Sequence, residues 1–373
     1  MQILGDYYWK DNTDIDRLID ITIRKMPVNI KNERELESFV NQEINKPIPL
    51  DNPQWVIWIQ EDYNEKESLI IYKQHHSMCD GISCMNYHIG QGDNFDQSAL
   101  MPFPRKITFI ERFFIRLSVL YFLPKVFWKI VTVKQDINPL NDGIKNLSGK
   151  KLSATSKDID FQEFKKASKL LKLTINDIVT ACVGSAISQY FESKGRKDIK
   201  RLNIAIPANI RFAHYPSWEK VKFENKFAPF PMTIPLETDL DRSLVEVHKV
   251  TSRLRNGYGD VYATYAATWY ASMFVPKWLM LWFSEFSTKP YTLAFSNLPG
   301  LLKPIIFDGR KSIKMQNYII PAGVTGIGIT SLSYVDYFKI GMVVDDSIMK
   351  EPQVIVDHIE KNLRIVMEKA KKL

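Results

Sequence analysis

Two adjacent histidines, set between an extended run and a helical one, constrain this chain most. They stand in Gln74-His75-His76-Ser77-Met78-Cys79-Asp80-Gly81. Residues 68–73, Ser-Leu-Ile-Ile-Tyr-Lys, are rich in β-branched and aromatic side chains and long enough for a buried strand. Ile82, Met85 and Ile89 then recur with the spacing of one apolar helix face. A strand-to-helix turn is open to ligands yet anchored at both ends, which suits chemistry. Neighbouring strand side chains point to opposite faces, so only one imidazole can face a given cavity. Asp80 and Gly81 close the turn: glycine tolerates a positive φ, and aspartate bonds nearby backbone or holds a cation.

An imidazole near its ordinary pKa can take a proton from an alcohol at neutral pH. One histidine therefore reads as a general base, with Asp80 fixing the geometry. Two other readings stand beside it. The pair can serve capping and packing alone. His75, His76, Cys79, Cys84 and His88 also crowd fourteen positions, as metal ligands do. A second zinc-ligand pair is missing elsewhere and the Cys79–Cys84 spacing is too loose for a knuckle, so no metal is expected.

The pattern His-His-x-x-x-Asp-Gly resembles the signature of the CoA-dependent acyltransferase superfamily, with its chloramphenicol acetyltransferase-like fold. Upstream, Pro49-Leu50-Asp51-Asn52-Pro53-Gln54-Trp55 resembles the Pro-Leu-Trp motif of the wax ester synthase/diacylglycerol acyltransferase family. Phe295-Ser296-Asn297-Leu298-Pro299-Gly300 resembles that family's Ser-Asn-Val-Pro-Gly motif. Ser331-Leu332-Ser333-Tyr334 followed by Gly341-Met342-Val343-Val344-Asp345 resembles its C-terminal hairpin. Pro207-Ala208-Asn209-Ile210-Arg211 is similar to its Pro-Val-Ser-Val-Arg. The matches fall in order and cover most of the chain.

The resemblance implies an α/β (α+β) fold of two chloramphenicol acetyltransferase-like subdomains, each a mixed sheet flanked by helices, with a channel between them. The halves would be residues 1–135 and 156–373, joined by a crossover over 136–155. The family carries a further strand and helix ahead of this point, and residues 1–48 lack them. The implied reaction moves a long acyl chain from CoA to a fatty alcohol or diacylglycerol by direct attack. Acyl-CoA is then a substrate, and no covalently bound cofactor is implied. His76, the second of the pair, would be the base, supported by His75 from the other side of the strand. Asp80 and Gly81 would shape the turn. Asn297, beside Ser296 on a turn, would contact substrate or stabilise the oxyanion, with Ser331 and Ser333 as weaker candidates. Arg211 would pair with Asp80 or a CoA phosphate, against the plainer reading of a surface ion pair. A different acceptor such as an amine, or a non-catalytic subunit of a larger assembly, are the alternatives.

Composition narrows the partners. The net charge is +8, and residues 105–134 alone hold seven basic residues and one acidic. No nucleic-acid module or Arg-rich stripe accompanies this charge, so no nucleic-acid partner is expected. Basic residues set among aromatics point to a membrane or lipid-droplet surface, or to CoA phosphates. Residues 107–133 read as an interfacial helix broken at Pro124, because the charge-free run 117–124 is too short to cross a bilayer. Three cysteines at unrelated spacings, with no signal-type apolar run over 1–15, point to a reducing compartment. The expectation is an intracellular, membrane-associated protein, at the endoplasmic reticulum or a lipid droplet ahead of a mitochondrial membrane. No Gly-x-Ser-x-Gly elbow offers the usual covalent route to ester chemistry.

The remaining elements follow from periodicity. A short strand is expected near residues 7–9 and a helix near 33–44. Residues 55–60 and 69–74 alternate as a hairpin that places the histidine turn on an internal strand. Helices are expected over 160–171, from a capped start at Thr174 to a stop at Gly195, over 240–254 and over 351–372. Strands are expected over 201–207, ending in proline, over 227–235 and over 291–295, and a hairpin over 323–344. Cys182 reads as buried packing, and His214 and His248 have no motif around them. Residues 262–286, aromatic and Met-rich, can line an acyl channel or lie at a lipid surface, with a core segment as the default reading.

Overall fold

The computed structural model describes residues 2–3, 6–7, 13–103, 107–144, 146–255, 258–320 and 323–372. Two compact units emerge, one of residues 1–80 with 222–225, the other of residues 81–221 with 226–373. The chain passes from the first to the second between Asp80 and Gly81, inside the histidine motif; the halves 1–135 and 156–373 partition it differently.

The first unit contains β1 (Gln2–Ile3), β2 (Asp6–Tyr7), α1 (Ile15–Thr22), β3 (Ile23–Lys25), α2 (Glu33–Glu43), β4 (Trp55–Gln60) and β5 (Leu69–Gln74). The strand expected at 7–9 is seen as β2; residues 8 and 9 lie outside the described residues. Asn32 caps α2 through the Glu35 N–H, as its place before the apolar periodicity demands. β4 and β5 pair antiparallel from Trp55↔Gln74 to Gln60↔Leu69, the hairpin that the alternation predicts. The sheet order is β3-β4-β5, so β5 is an edge strand and not the internal one expected. With a neighbour on one side only, its residues are half-buried and Ile70 is exposed. Ile30, Phe39, Val56 and Trp58 form the unit's small core, where Phe39 meets Trp58 edge-on at 5.5 Å. Lys73 ties β5 to α2, its Nζ donating to the carbonyls of Glu43 and Lys46 at 2.7 Å each.

The second unit opens with α3 (Gly81–Gln91), α4 (Phe109–Leu117), α5 (Val119–Thr132), β6 (Lys151–Thr155), β7 (Ile159–Asp160), α6 (Phe161–Leu170), α7 (Ile175–Ser193), β8 (Arg201–Asn209) and β9 (Phe227–Pro235). It continues through α8 (Leu240–Arg255), α9 (Tyr258–Phe274), α10 (Lys277–Thr288), β10 (Leu293–Leu298), β11 (Ile306–Phe307), β12 (Arg310–Lys311), β13 (Ile327–Tyr334), β14 (Tyr337–Asp345) and α11 (Gln353–Ala370). A mixed sheet runs β6-β14-β13-β10-β8-β9, with β7 beside β14. β10 pairs parallel with β8 and β13, and the other ladders are antiparallel. Every residue of β13 is buried, as helices and loops on both faces require. One face carries the large core with α6, α7, α8 and α11, including the inert Cys182. The other carries a smaller cluster of Met85, Ile89, Leu298, Leu301, Leu332 and Tyr334, which seats α3. Thr174 and Asp177 form the expected capping box of α7, and Gly195 ends that helix region at φ +77°.

Four local expectations change. β8 does not stop at Pro207 but runs to Asn209: its ladder with β10 covers only Ile204 and Ala205, and on β9 Pro207 lies opposite Pro229, which has no N–H to donate either. The crossover over 136–155 ends in a true strand, β6. The helix break falls at Ser118, and α5 continues through Pro124. Residues 262–286 are core only at their start, where Ala263 and Ala266 are buried: α10 has no buried residue, and Trp269, Tyr270, Met273 and Phe274 at the end of α9 are exposed. Periodicity identifies an apolar face but not whether another element covers it.

Candidate active site

The histidine turn occupies residues 75–80, between the end of β5 and the start of α3. His75 and His76 therefore lie beyond the strand, and strand alternation does not govern where their rings point. The backbone of the turn is tied at three places. The His75 N–H donates to the Gln54 carbonyl at 2.8 Å, the Asn225 amide donates to the His76 carbonyl at 2.9 Å, and the Asp80 N–H donates to the Glu224 carbonyl at 3.2 Å. Gln54 belongs to the Pro49–Trp55 motif and folds that loop by donating to the carbonyls of Pro49 and Asn52. The motif resembling Pro-Leu-Trp thus acts as a backbone support for the histidines. Both imidazoles are exposed, while Cys79 and Asp80 are buried.

His75 has a defined tautomer. Its Nδ1 accepts the Ser77 N–H at 3.3 Å and lies 2.7 Å from the Ser77 hydroxyl. A backbone N–H can only donate, so the neutral ring carries its proton on Nε2. In that state Nε2 has no lone pair with which to take a proton.

Gly81 begins α3 without a positive φ, contrary to the role expected of it. Its constraint is space: a Cβ there would fall 3.1 Å from both methyls of Leu298. Two residues on, Ser83 meets Arg211. The guanidinium donates to Ser83 Oγ at 2.8 Å, to the Lys226 carbonyl at 3.3 Å and to Tyr215 Oη at 3.4 Å. Arg211 is buried, which excludes the surface ion pair. These bonds fix α3 to the segment after β8.

Asn297 lies within β10, one residue before its end, not on a turn after it. It is level with Ser331 in the parallel ladder, and Ser331 Oγ donates to Asn297 Oδ1 at 2.7 Å. Asn297 Nδ2 donates to Asn176 Oδ1, on the first turn of α7, at 3.2 Å. Both bonds orient the amide. Ser333 instead accepts the Gly300 N–H at 3.1 Å, a structural role. Gly300 has no room for a side chain, since a Cβ would fall 1.4 Å from the Ser333 carbonyl oxygen. Ser296 is half-buried beside Thr330 in the same ladder.

Other titratable groups have local partners. Cys84 Sγ lies 3.2 Å from His88 Nε2, and His88 Nδ1 bonds Gln91 at 3.1 Å. Burial holds the His88 imidazole below its ordinary pKa and pushes the Cys182 thiol up. His248 bonds Asp177 at 3.0 Å, and His214 bonds the Met101 carbonyl at 2.8 Å. No group of three or more potential metal ligands occurs among the described residues. Sequence reasoning missed Gln54, Asn225, Ser83 and Asn176; only Gln54 carried a signal, being inside a motif.

Residues 224–366 match the WS/DGAT C-terminal domain. Wax ester synthase/diacylglycerol acyltransferase 4 of Arabidopsis thaliana is 24% identical over 91% of this chain and 74% of its own length. O-acyltransferase WSD of Acinetobacter baylyi is 22% identical over 97% of this chain and 83% of its own. Residues 224–366 thus carry a WS/DGAT C-terminal domain, and the chain as a whole is similar to wax ester synthase/diacylglycerol acyltransferases. The solved wax ester synthase/diacylglycerol acyltransferase from Marinobacter aquaeolei VT8 shares the fold, with TM-score 0.62 and 18% identity, covering 100% of this chain and 85% of that one. The family domain spans the Asn297 strand and the Ser331 hairpin. The histidine turn lies ahead of it, in the part of the chain that the full-length likeness covers.

Proposed function

We propose that this chain is an acyl-CoA-dependent O-acyltransferase of the wax ester synthase/diacylglycerol acyltransferase family. It moves a long acyl group to a fatty alcohol or diacylglycerol at a lipid surface. The observation that carries the reading is the exposed His76 ring on a turn whose backbone is tied to Gln54, Glu224 and Asn225. A base must be accessible, yet held where it can reach a hydroxyl.

His76 takes the acceptor's hydroxyl proton as the oxygen attacks the thioester carbonyl carbon. The tetrahedral oxyanion collapses, the carbon–sulfur bond breaks, and the imidazolium returns the proton to the departing sulfur, so that CoA leaves as the thiol and His76 is neutral again. His75 is a support: its Nδ1 is occupied by Ser77 and its Nε2 is protonated. Asn297, oriented by Ser331 and Asn176, supplies an amide N–H to the oxyanion or substrate. Arg211 serves as a positioning residue, because its donors are engaged by Ser83, Tyr215 and the Lys226 carbonyl.

Labelled palmitoyl-CoA, offered to the purified chain with a fatty alcohol, a diacylglycerol and a fatty amine in turn, tests the reading. Ester formation with one of the first two and release of CoA thiol is the expected result. Amide formation alone, or transfer to none of the three, would overturn it.

A further inference from the structure

The second unit exposes far more aromatic surface than a monomer ordinarily leaves in water. On α4 and α5, Phe109 is 83% exposed and Trp128 70%; on α9 and α10, Phe274 is 78% exposed and Trp278 71%. Residues nearly 150 positions apart thus share one character, and α9 packs against α4, α5 and α10. The contact between α5 and α9 is close, since a Cβ on Gly259 would fall 2.4 Å from the Phe122 ring. The inner side of α9 lies on β9 through the buried Ala263 and Ala266. Its outer end and the whole of α10 find no cover among the described residues.

We propose that α4, α5, α9 and α10 form one docking face for an anionic phospholipid surface. The inference deepens the lipid-acceptor reading above but stands on separate observations. Charge selects the occupant. Across the four helices Arg112, Arg116, Lys125, Lys129 and Lys277 outnumber the acids, which are Asp260, 4.0 Å from Lys125 Nζ, Glu285 and Glu111. The Glu111 carboxylate is already occupied, accepting the Thr108 N–H at 2.8 Å and hydroxyl at 3.0 Å. Arg116 and Lys125 are exposed, and Lys277 opens α10. Tryptophans among basic residues match the boundary between headgroups and acyl chains. A second copy of the face would set like charges against each other. No single helix among the described residues is long and apolar enough to cross a bilayer. The helices accordingly lie along the surface, with rings immersed and cations at the headgroups.

Flotation of the full chain with phosphatidylcholine vesicles, with and without phosphatidylglycerol, tests the assignment. Binding should be strong only with the anionic lipid and should weaken with salt. Arg116→Ala and Lys125→Ala should each lower it roughly fivefold on anionic vesicles. Trp128→Ser combined with Trp278→Ser should lower it at least about tenfold. Both rings are exposed, so the melting temperature should not move. Equal binding to neutral and anionic vesicles, no effect of the substitutions, or a dimer that the tryptophan substitutions dissolve would each overturn the proposal. The chemistry is read separately with a short-chain acceptor soluble in water. Vesicle binding without transfer to that acceptor sinks the acyltransferase reading alone, and transfer without binding sinks the docking face alone.

Discussion

The Asn225 side-chain amide donates to the His76 carbonyl oxygen at 2.9 Å, across 149 positions of chain. A segment far from the motif therefore helps set the backbone from which the proposed base projects. Asn225→Ala removes this bond and the longer one to the Ser77 carbonyl at 3.4 Å, both exposed, and should cost at most about 1 kcal/mol of stability. Transfer should fall more than stability does, with the loss in kcat rather than KM. Equal kinetics in this variant would show that the other two ties suffice.

His76→Ala should leave the fold intact, since the ring is exposed, and should lower transfer by roughly 10²- to 10⁴-fold. Activity near wild type would remove the centre of the mechanism. Asp80 is buried, so Asp80→Ala should cost stability as well as rate, on the order of 1–3 kcal/mol. An Asp80→Ala protein that melts normally but is inactive would mean that this carboxylate acts directly.

Asn297→Ala should lower kcat by about 10²-fold or more if its amide faces the oxyanion. Ser331→Ala removes only the bond that orients that amide, so it should give a smaller loss in the same direction. Steady-state kinetics of the two variants and their double mutant measure the coupling. Independent, additive effects would separate Ser331 from the site.

Gly300→Ala tests the turn after β10. Its new methyl would meet the Ser333 carbonyl at 1.4 Å, a backbone atom that cannot rotate away. Destabilisation of at least about 3 kcal/mol is expected by denaturant titration, because neither strand can shift without breaking the β10–β13 ladder. A near-native midpoint would show that the strand ends separate easily.

Acid should loosen the end of β14 before neutral pH affects it. Burial alone would raise the pKa of Asp345, but hydrogen bonds from Ser347 and Ser148 outweigh it and hold the carboxyl down at about 2. A depressed folded pKa gives stability present above the ordinary value of 3.8 and lost as pH falls toward about 2. The urea midpoint should drop through that window in wild type. Asp345→Asn should flatten this part of the profile, and an unchanged slope would show that other carboxylates control it.

Some of this protein was readable from the order of its residues alone. The β4–β5 hairpin, the α2 helix, the capped start of α7, the β9 strand and the β13–β14 hairpin follow from period-two or helical patterning and from a cap within a few residues. The histidine, Asn297 and hairpin motifs pointed to the family for the same reason: each is a short run whose identity is local. What the tertiary structure decided is which of these elements found neighbours. Among the described residues β5 became an edge strand, Pro207 was tolerated beyond the β10 ladder and opposite Pro229 of β9, and the end of α9 and α10 stayed uncovered. Arg211 turned inward onto Ser83, and Gln54, Glu224 and Asn225 converged on the histidine turn. Patterning records which side of an element is apolar or can hydrogen-bond. The partner that satisfies that side comes from distant chain, and only the folded backbone brings it within reach.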